Sequence, residues 1–230
     1  MAEFIENSVF FGAVISLLAY ELGLILKKKF RLAIFNPLLI AILCVMGVLV
    51  VMDVDYNTYN EGGKYISYLL TPATVCLAVP LYQQLALLRK NIKAVAAGIV
   101  SGVLASGVSV FLLAKLFGLS HEEYVTLLPK SITTAIGMGV SEELGGIVTI
   151  TVAVIIITGV LGNMIAEAVL KMAHIEEPVA RGLAIGTSAH AVGTAKAMEL
   201  GQVEGAMSSL AIAVAGLLTV IAASVFAQLM

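Results

Sequence analysis

Three long runs of apolar residues decide what this chain can fold into. They span Ala94 to Phe117, Gly145 to Leu170 and Ala206 to Leu229, and each contains at most one charged residue. A helix needs about 20 apolar residues to cross the hydrocarbon core of a bilayer. The runs therefore predict transmembrane helices. The composition agrees, because the chain is 60% hydrophobic and 12% charged, whereas soluble domains have about 25% charged residues.

The charge and the metal-ligating residues exclude several classes of function. The net charge of −2 comes from scattered residues of both signs, which is not the basic patch that binds nucleic acid. The three histidines and two cysteines show none of the spacings that hold a metal. We therefore expect no nucleic-acid partner, no metal and no cofactor.

Polar residues interrupt the apolar segment from 65 to 88. Thr71 and Thr74 flank Pro72, and Pro80 follows. A hydrophobic segment broken by proline indicates a discontinuous helix at a transporter site, although a bent helix with no role in binding is the alternative. In the preceding segment, Asn36 stands before Pro37, where it could bind a ligand or simply start a helix.

The densest polar cluster lies between residues 186 and 196. It contains Thr187, Ser188, His190 and Thr194, followed by Lys196. In a bilayer such groups persist only where they face protein or water. The cluster therefore predicts the wall of a solute site, in which His190 could also carry a coupling proton. A buried neutral histidine bonded to the backbone is the alternative for His190.

The stretch from Tyr124 to Glu143 is short for a crossing. Residues 124 to 140 would reach only about 25 Å as a helix, less than the ~30 Å hydrocarbon core. We prefer a re-entrant hairpin to a crossing, because the basic residues after segment 145–170 then lie in the cytoplasm. Lys130 beside Ser131, Thr133 and Thr134 predicts an anion-friendly pocket. Lys130 could instead extend to the membrane interface.

These segments predict an all-α, polytopic transmembrane helix bundle with about seven crossings plus one re-entrant hairpin. We treat residues 1–230 as a single membrane domain. The polar breaks at 71–74 and 187–190 occupy similar places in their segments, which predicts an inverted repeat with discontinuous helices. The repeat halves would be residues 1–120 and 121–230.

Five stretches carry a family resemblance. They are Asn36-Pro37-Leu38-Leu39-Ile40, Thr71 to Val75 with Ala78 to Tyr82, Leu128 to Thr134, Gly186-Thr187-Ser188-Ala189-His190 and Glu204 to Ala211. They resemble the LrgB/CidB family, which includes the plant plastidal glycolate/glycerate translocator. The resemblance implies one of two functions. One is antiholin-like or holin-like regulation of murein hydrolase activity and autolysis, with a small membrane partner of the LrgA/CidA type. The other is transport of small monocarboxylates such as glycolate, glycerate or pyruvate.

The polar breaks favour the carrier over the regulator, and His190 would allow proton coupling of that carrier. A 2-hydroxy or 2-keto acid needs a cation for its carboxylate and polar groups for its second oxygen. We do not expect an enzyme, because Ser188 and His190 point to different helix faces and have no carboxylate nearby in sequence. We expect a multi-pass protein of the bacterial inner membrane, in contact with lipid and forming a homo-oligomer. The predicted solute contacts are Asn36, Thr71, Thr74, Lys130, Ser131, Thr133, Thr134, Thr187, Ser188, His190 and Thr194.

Overall fold

The computed structural model describes residues 10–30, 35–76 and 78–230, and these residues form helices without any β-strand. The chain divides into two compact units, residues 1–76 and 77–230. The predicted all-α class is confirmed. The repeat halves 1–120 and 121–230 stay a prediction.

The described residues of the first unit form four helices. They are α1 (Phe11–Phe30), α2 (Pro37–Val51), α3 (Tyr56–Ser67) and α4 (Leu70–Cys76). Gly12 lets the backbone of Tyr59 approach α1 closely, and the Tyr59 hydroxyl lies 2.9 Å from Ser16 Oγ. These contacts hold α3 against α1.

The second unit contains eight helices among its described residues. They are α5 (Ala78–Gln83), α6 (Leu85–Lys90), α7 (Ile92–Phe117), α8 (His121–Leu127), α9 (Thr134–Glu143), α10 (Val148–Met172), α11 (Pro178–Leu200) and α12 (Gln202–Ala227). The segment from 65 to 88, predicted to be interrupted, is divided by turns at 68–69 and at 84.

The hairpin of α11 and α12 forms the centre of the second unit. Gly182 and Gly186 of α11 lie against the backbone of α12, so closely that a Cβ at either position would come within 2.5 Å of a carbonyl oxygen. Small residues spaced four apart allow such close helix contact in membranes. A core cluster joins this hairpin to α7 through Ile99, Leu183 and Met207.

Within the described part of the chain, three helices are long and apolar enough to cross a membrane by length and composition. They are α7, α10 and α12, and at 25 or 26 residues each they extend about 38 Å, more than the ~30 Å hydrocarbon core. The predicted apolar runs 94–117, 145–170 and 206–229 are therefore confirmed as long helices. The total of about seven crossings stays a prediction.

The stretch from Tyr124 to Glu143 forms two short helices instead of one span. α8 and α9 are joined by residues 128–133, and the chain returns so that the Ile147 amide donates to Thr126 Oγ1 at 2.8 Å. The chain after α9 thus returns to the end of α8. The re-entrant hairpin, in which both ends of this stretch lie on one membrane face, stays a prediction.

Candidate functional site

A cavity of about 990 Å³ runs along one face of α7 in the second unit. The lining residues on the α7 side extend from Asn91 to Ser109, about 27 Å along the helix axis. Small residues leave the space open and hydroxyl groups make it polar. We call it the α7–α11 cavity, and its lining from this side is Asn91, Ala94, Gly98, Ser101, Gly102, Ala105, Ser106 and Ser109.

The opposite wall comes from the segment of α11 between Val179 and Ser188. Thr187 and Ser188, two of the predicted solute contacts, line the cavity. The Thr187 hydroxyl donates to Leu183 O at 2.8 Å, and the Ser188 hydroxyl donates to Ala184 O at 2.7 Å. Because both protons are donated within the helix, the two oxygens face the cavity as acceptors.

Lys130 supplies a positive charge to the cavity. It is half-buried, and its ammonium donates to Ser131 Oγ at 2.9 Å. Ser106 Oγ of α7 in turn donates to Ser131 Oγ at 3.2 Å. Within residues 10–30, 35–76 and 78–230, no carboxylate forms an ion pair with Lys130. The charge is therefore available to attract an anion into the cavity.

His190 and Thr194 lie outside the cavity. The His190 ring is buried at 3% exposure, and its Nε2 lies 2.9 Å from the Ile155 carbonyl oxygen of α10. Thr194 is also buried, donates to His190 O at 3.0 Å and lies 2.7 Å from Ser208 Oγ. The position of His190 matches the alternative considered from the sequence, a buried histidine bonded to the backbone.

The remaining predicted contacts are dispersed. Thr133 precedes α9 and Thr134 begins it, both half-buried and outside the lining of the cavity. Asn36 belongs to the first unit, where its Oδ1 accepts from the amides of Leu38 and Leu39 and caps α2. The side chains of Thr71 and Thr74 lie outside the described part of the chain.

The hydroxyl face of α7 was not among the predicted contacts. The sequence analysis selected hydroxyls next to prolines and histidine, whereas Ser101, Ser106 and Ser109 stand in an uninterrupted apolar helix. The signal that could have found them is their helical spacing on the face of Gly98 and Gly102. Gly102 does approach α11 closely, since a Cβ there would lie 2.6 Å from Thr187 Oγ1.

The lining residues described above are sufficient to bind a small polar molecule. Its volume suits a solute of a few heavy atoms with its water, Lys130 provides one cation, and the hydroxyl oxygens provide acceptors. In the described ranges, no group of three or more His, Cys, Asp or Glu residues could hold a metal ion.

Fold and cavity together define a helical membrane protein with a polar cavity beside its central hairpin, lined by one basic residue, Lys130, and one acidic residue, Glu177. Comparison with known families agrees over nearly the whole chain. Residues 16–229 match the model of the LrgB-like family, and the chain belongs to that family.

Individual relatives are similar over the same length. The chain is 39% identical to the antiholin-like protein LrgB of Bacillus cereus (strain B4264), over 218 residues that cover 94% of this chain and 95% of the relative. The antiholin-like protein LrgB of Bacillus anthracis (strain A0248) gives the same identity and coverage. No solved structure matches the chain significantly.

Proposed function

We propose that this chain is an antiholin-like protein that crosses the bacterial plasma membrane several times and restrains lysis of the cell. The observation that carries the proposal is its 39% identity to proteins of that name. Because the match covers 94% of this chain and 95% of the relative, the proposal concerns the whole protein and not one shared segment.

The test is complementation of a Bacillus strain that lacks its own antiholin-like LrgB. Lysis would be induced with and without expression of this chain, and culture turbidity and released murein hydrolase activity would be followed. The proposal predicts slower lysis and less released activity at matched growth. A time course equal to that of the empty vector, with the protein present in the membrane fraction, would reject it.

A small membrane protein of the LrgA/CidA type is the proposed partner, and self-association is proposed as well. Purification of the tagged chain from cells that also express such a partner should recover both proteins. The control is an unrelated membrane protein of similar size with the same tag. Size-exclusion chromatography with light scattering would give the number of copies.

A carrier of small monocarboxylates is the second candidate, favoured by the α7–α11 cavity. Lys130 would pair with the carboxylate, and the acceptor oxygens of Thr187 and Ser188 suit the hydroxyl group of glycolate or glycerate. In this proposal Ser131 orients the ammonium of Lys130. A membrane protein whose only role is to restrain a partner has no need of a charged cavity.

Purified protein in liposomes distinguishes the two candidates. Labelled glycolate or pyruvate would be added outside, with and without the small partner and with and without a proton gradient. Uptake above protein-free liposomes supports the carrier. Absence of uptake under all of these conditions, together with slower lysis in cells, supports the regulator alone.

A further inference from the structure

Helix α3 differs from its neighbours in the first unit in length and polarity. It spans Tyr56–Ser67 and rises about 18 Å, less than the ~30 Å hydrocarbon core. Asp55 caps its start by accepting from the Asn57 amide at 2.7 Å. The helical spacing places Asn57, Glu61 and Lys64 along one side. This helix is therefore too short and too polar to cross a bilayer.

The opposite side of α3 packs against the beginning of α1. Gly12 allows this contact, because a Cβ there would collide with the backbone of Tyr59. The Tyr59 hydroxyl lies 2.9 Å from Ser16 Oγ. The ring centroids of Phe10 and Tyr65 are 6.1 Å apart. These contacts fix α3 at the level of the first turns of α1.

The other end of α1 carries the three lysines at 27–29. Such a cluster marks the cytoplasmic end of a membrane helix. From Gly12 to Lys28 the helix rises about 24 Å, and long lysine side chains extend the distance towards the ~30 Å of the hydrocarbon core. Leu17 and Leu18 lie between these two levels with exposed side chains that suit lipid. The position of α3 is therefore about one membrane thickness from the lysines.

Three tyrosine rings in and directly after α3 are exposed. The exposed fractions of Tyr56, Tyr65 and Tyr68 are 64%, 43% and 70%. The helical twist places Tyr56 and Tyr65 on opposite flanks of the side that faces α1. Lys64 forms an ion pair with Glu61, so its charge is neutralised locally. Tyrosine is enriched where membrane meets water, because its ring is apolar and its hydroxyl is polar.

We propose that α3 is an interfacial helix, which lies on the membrane surface opposite the lysines of α1 and holds its tyrosine rings among lipid headgroups. The phenol hydroxyls donate to phosphate or ester oxygens, and the rings lie against the first methylene groups of the acyl chains. The partner of this surface is the outer lipid leaflet. The anchor fixes the depth of α1 in the bilayer, and it is independent of whether the α7–α11 cavity carries a solute.

The experiment measures the depth of spin labels in the full-length protein in liposomes of phosphatidylcholine and phosphatidylglycerol. Cys44 and Cys76 would be replaced by alanine, and single labels would be placed at Asn57, Tyr65 or Leu18. Relaxation by dissolved oxygen, which concentrates in hydrocarbon, would be compared with relaxation by a water-soluble nickel chelate.

We expect the oxygen-to-nickel accessibility ratio at position 65 to lie between the low value at 57, in water, and the high value at 18, in hydrocarbon. A ratio at 65 equal to that at 57 would show that α3 stands clear of the membrane. A ratio equal to that at 18 would show that α3 belongs to a crossing segment. Protection of position 65 from both reagents would show that a second copy or another protein covers the surface. Each of these three results overturns the proposal.

The side of the membrane is tested in intact cells with a membrane-impermeant maleimide. In the same cysteine-free background, Asn57→Cys should react from outside, whereas Lys28→Cys should react only after the membrane is permeabilised. Any other pattern, with both cysteines reactive in denatured protein, overturns the assignment of α3 to the outer surface.

The role of the rings is tested by replacing Tyr56, Tyr65 and Tyr68 together, by alanine or, as the matched control, by phenylalanine. With a label at Asn60, the alanine variant should show about a twofold rise in nickel accessibility and the phenylalanine variant no rise. Equal accessibility in wild type and both variants would overturn the anchor. If the alanine variant does not fold, Tyr68→Ala is compared with Tyr68→Phe, and identical values would again overturn it.

Discussion

Two lysines of similar chemistry have different surroundings. Lys196 Nζ lies 3.1 Å from Glu167 Oε2 and 3.4 Å from Glu199 Oε2, which joins α10 to α11. Lys130 instead donates to the hydroxyl of Ser131 at the edge of the cavity. A paired charge contributes to packing, whereas a charge solvated by a hydroxyl can still bind an anion.

Replacing Lys130 by Gln should therefore weaken monocarboxylate binding without unfolding the protein. A charged hydrogen bond contributes about 1.5–3 kcal/mol, which corresponds to at least a tenfold loss of affinity. The measurement is the concentration dependence of glycolate uptake in liposomes. Lys196→Gln is the control and should keep the affinity. Equal affinities in wild type and Lys130→Gln would remove Lys130 from the site.

At the scale of elements, a buried hydroxyl cluster fixes the α8–α9 turn on α10. Thr151 of α10 is fully buried, and its hydroxyl lies 2.7 Å from Ser141 Oγ and 2.9 Å from Thr126 O. Thr126 Oγ1 accepts from the Ile147 amide. Because Lys130 and Ser131 lie between α8 and α9, this cluster also sets the position of the cation.

Thr151→Val should destabilise this element by about 1–3 kcal/mol, because it leaves buried hydrogen-bonding groups without a partner. Thr149→Val is the matched control, since Thr149 lies on the same helix but is exposed. Thermal unfolding in detergent should show a lower midpoint only for Thr151→Val. Equal midpoints for the two variants would show that the cluster carries no stability.

The start of α8 carries a pH-dependent cap. Glu123 accepts from the Ser120 amide at 2.7 Å and from the Ser120 hydroxyl at 2.9 Å. These bonds, the amide first, lower the pKa of the Glu123 carboxyl below its usual value of 4.5. A carboxyl whose pKa is lowered by folding contributes stability above its unfolded pKa, and loses it as the pH falls through the folded pKa.

Glu123→Gln should therefore unfold at a lower temperature than the wild type at pH 7. The difference in unfolding temperature between the two proteins should disappear as the pH is lowered past the folded pKa of Glu123. Glu122→Gln, in the same first turn, controls for loss of a carboxylate near the helix N-terminus. A difference in unfolding temperature that does not change with pH would contradict the claim that the ionised Glu123 carboxylate caps α8.

At the scale of the whole molecule, the apolar runs predicted the three long helices because length and composition alone decide which segments suit a bilayer. The cavity was predicted only in part. Thr187, Ser188, Lys130 and Ser131 were identified because polar groups in apolar segments need protein or water around them. The face of α7 was not, because serine and glycine in a helix serve close packing and a polar wall equally well.

For His190 the sequence alone left two interpretations open. Both a solute contact and a backbone-bonded core histidine satisfy the rule that buried polar groups need partners. The choice depends on which helix faces the ring, and that is set by Gly159 and Ile155, about 30 residues earlier in the chain. No local pattern around residue 190 contains this information.

The proposed carrier requires water beside Lys130 in the α7–α11 cavity, within the membrane. Single cysteines at Ser106 and Ser188 in a cysteine-free background test it, with Leu113→Cys as control on the exposed apolar side of α7. A thiol reacts as its thiolate, which forms where water is present.

Membrane vesicles would be treated with small thiosulfonates, one carrying a sulfonate and one an ammonium group. The account predicts fast reaction at 106 and 188 and slow reaction at 113, with the sulfonate reagent preferred until Lys130→Gln removes the preference. Equally slow reaction at all three positions would contradict it.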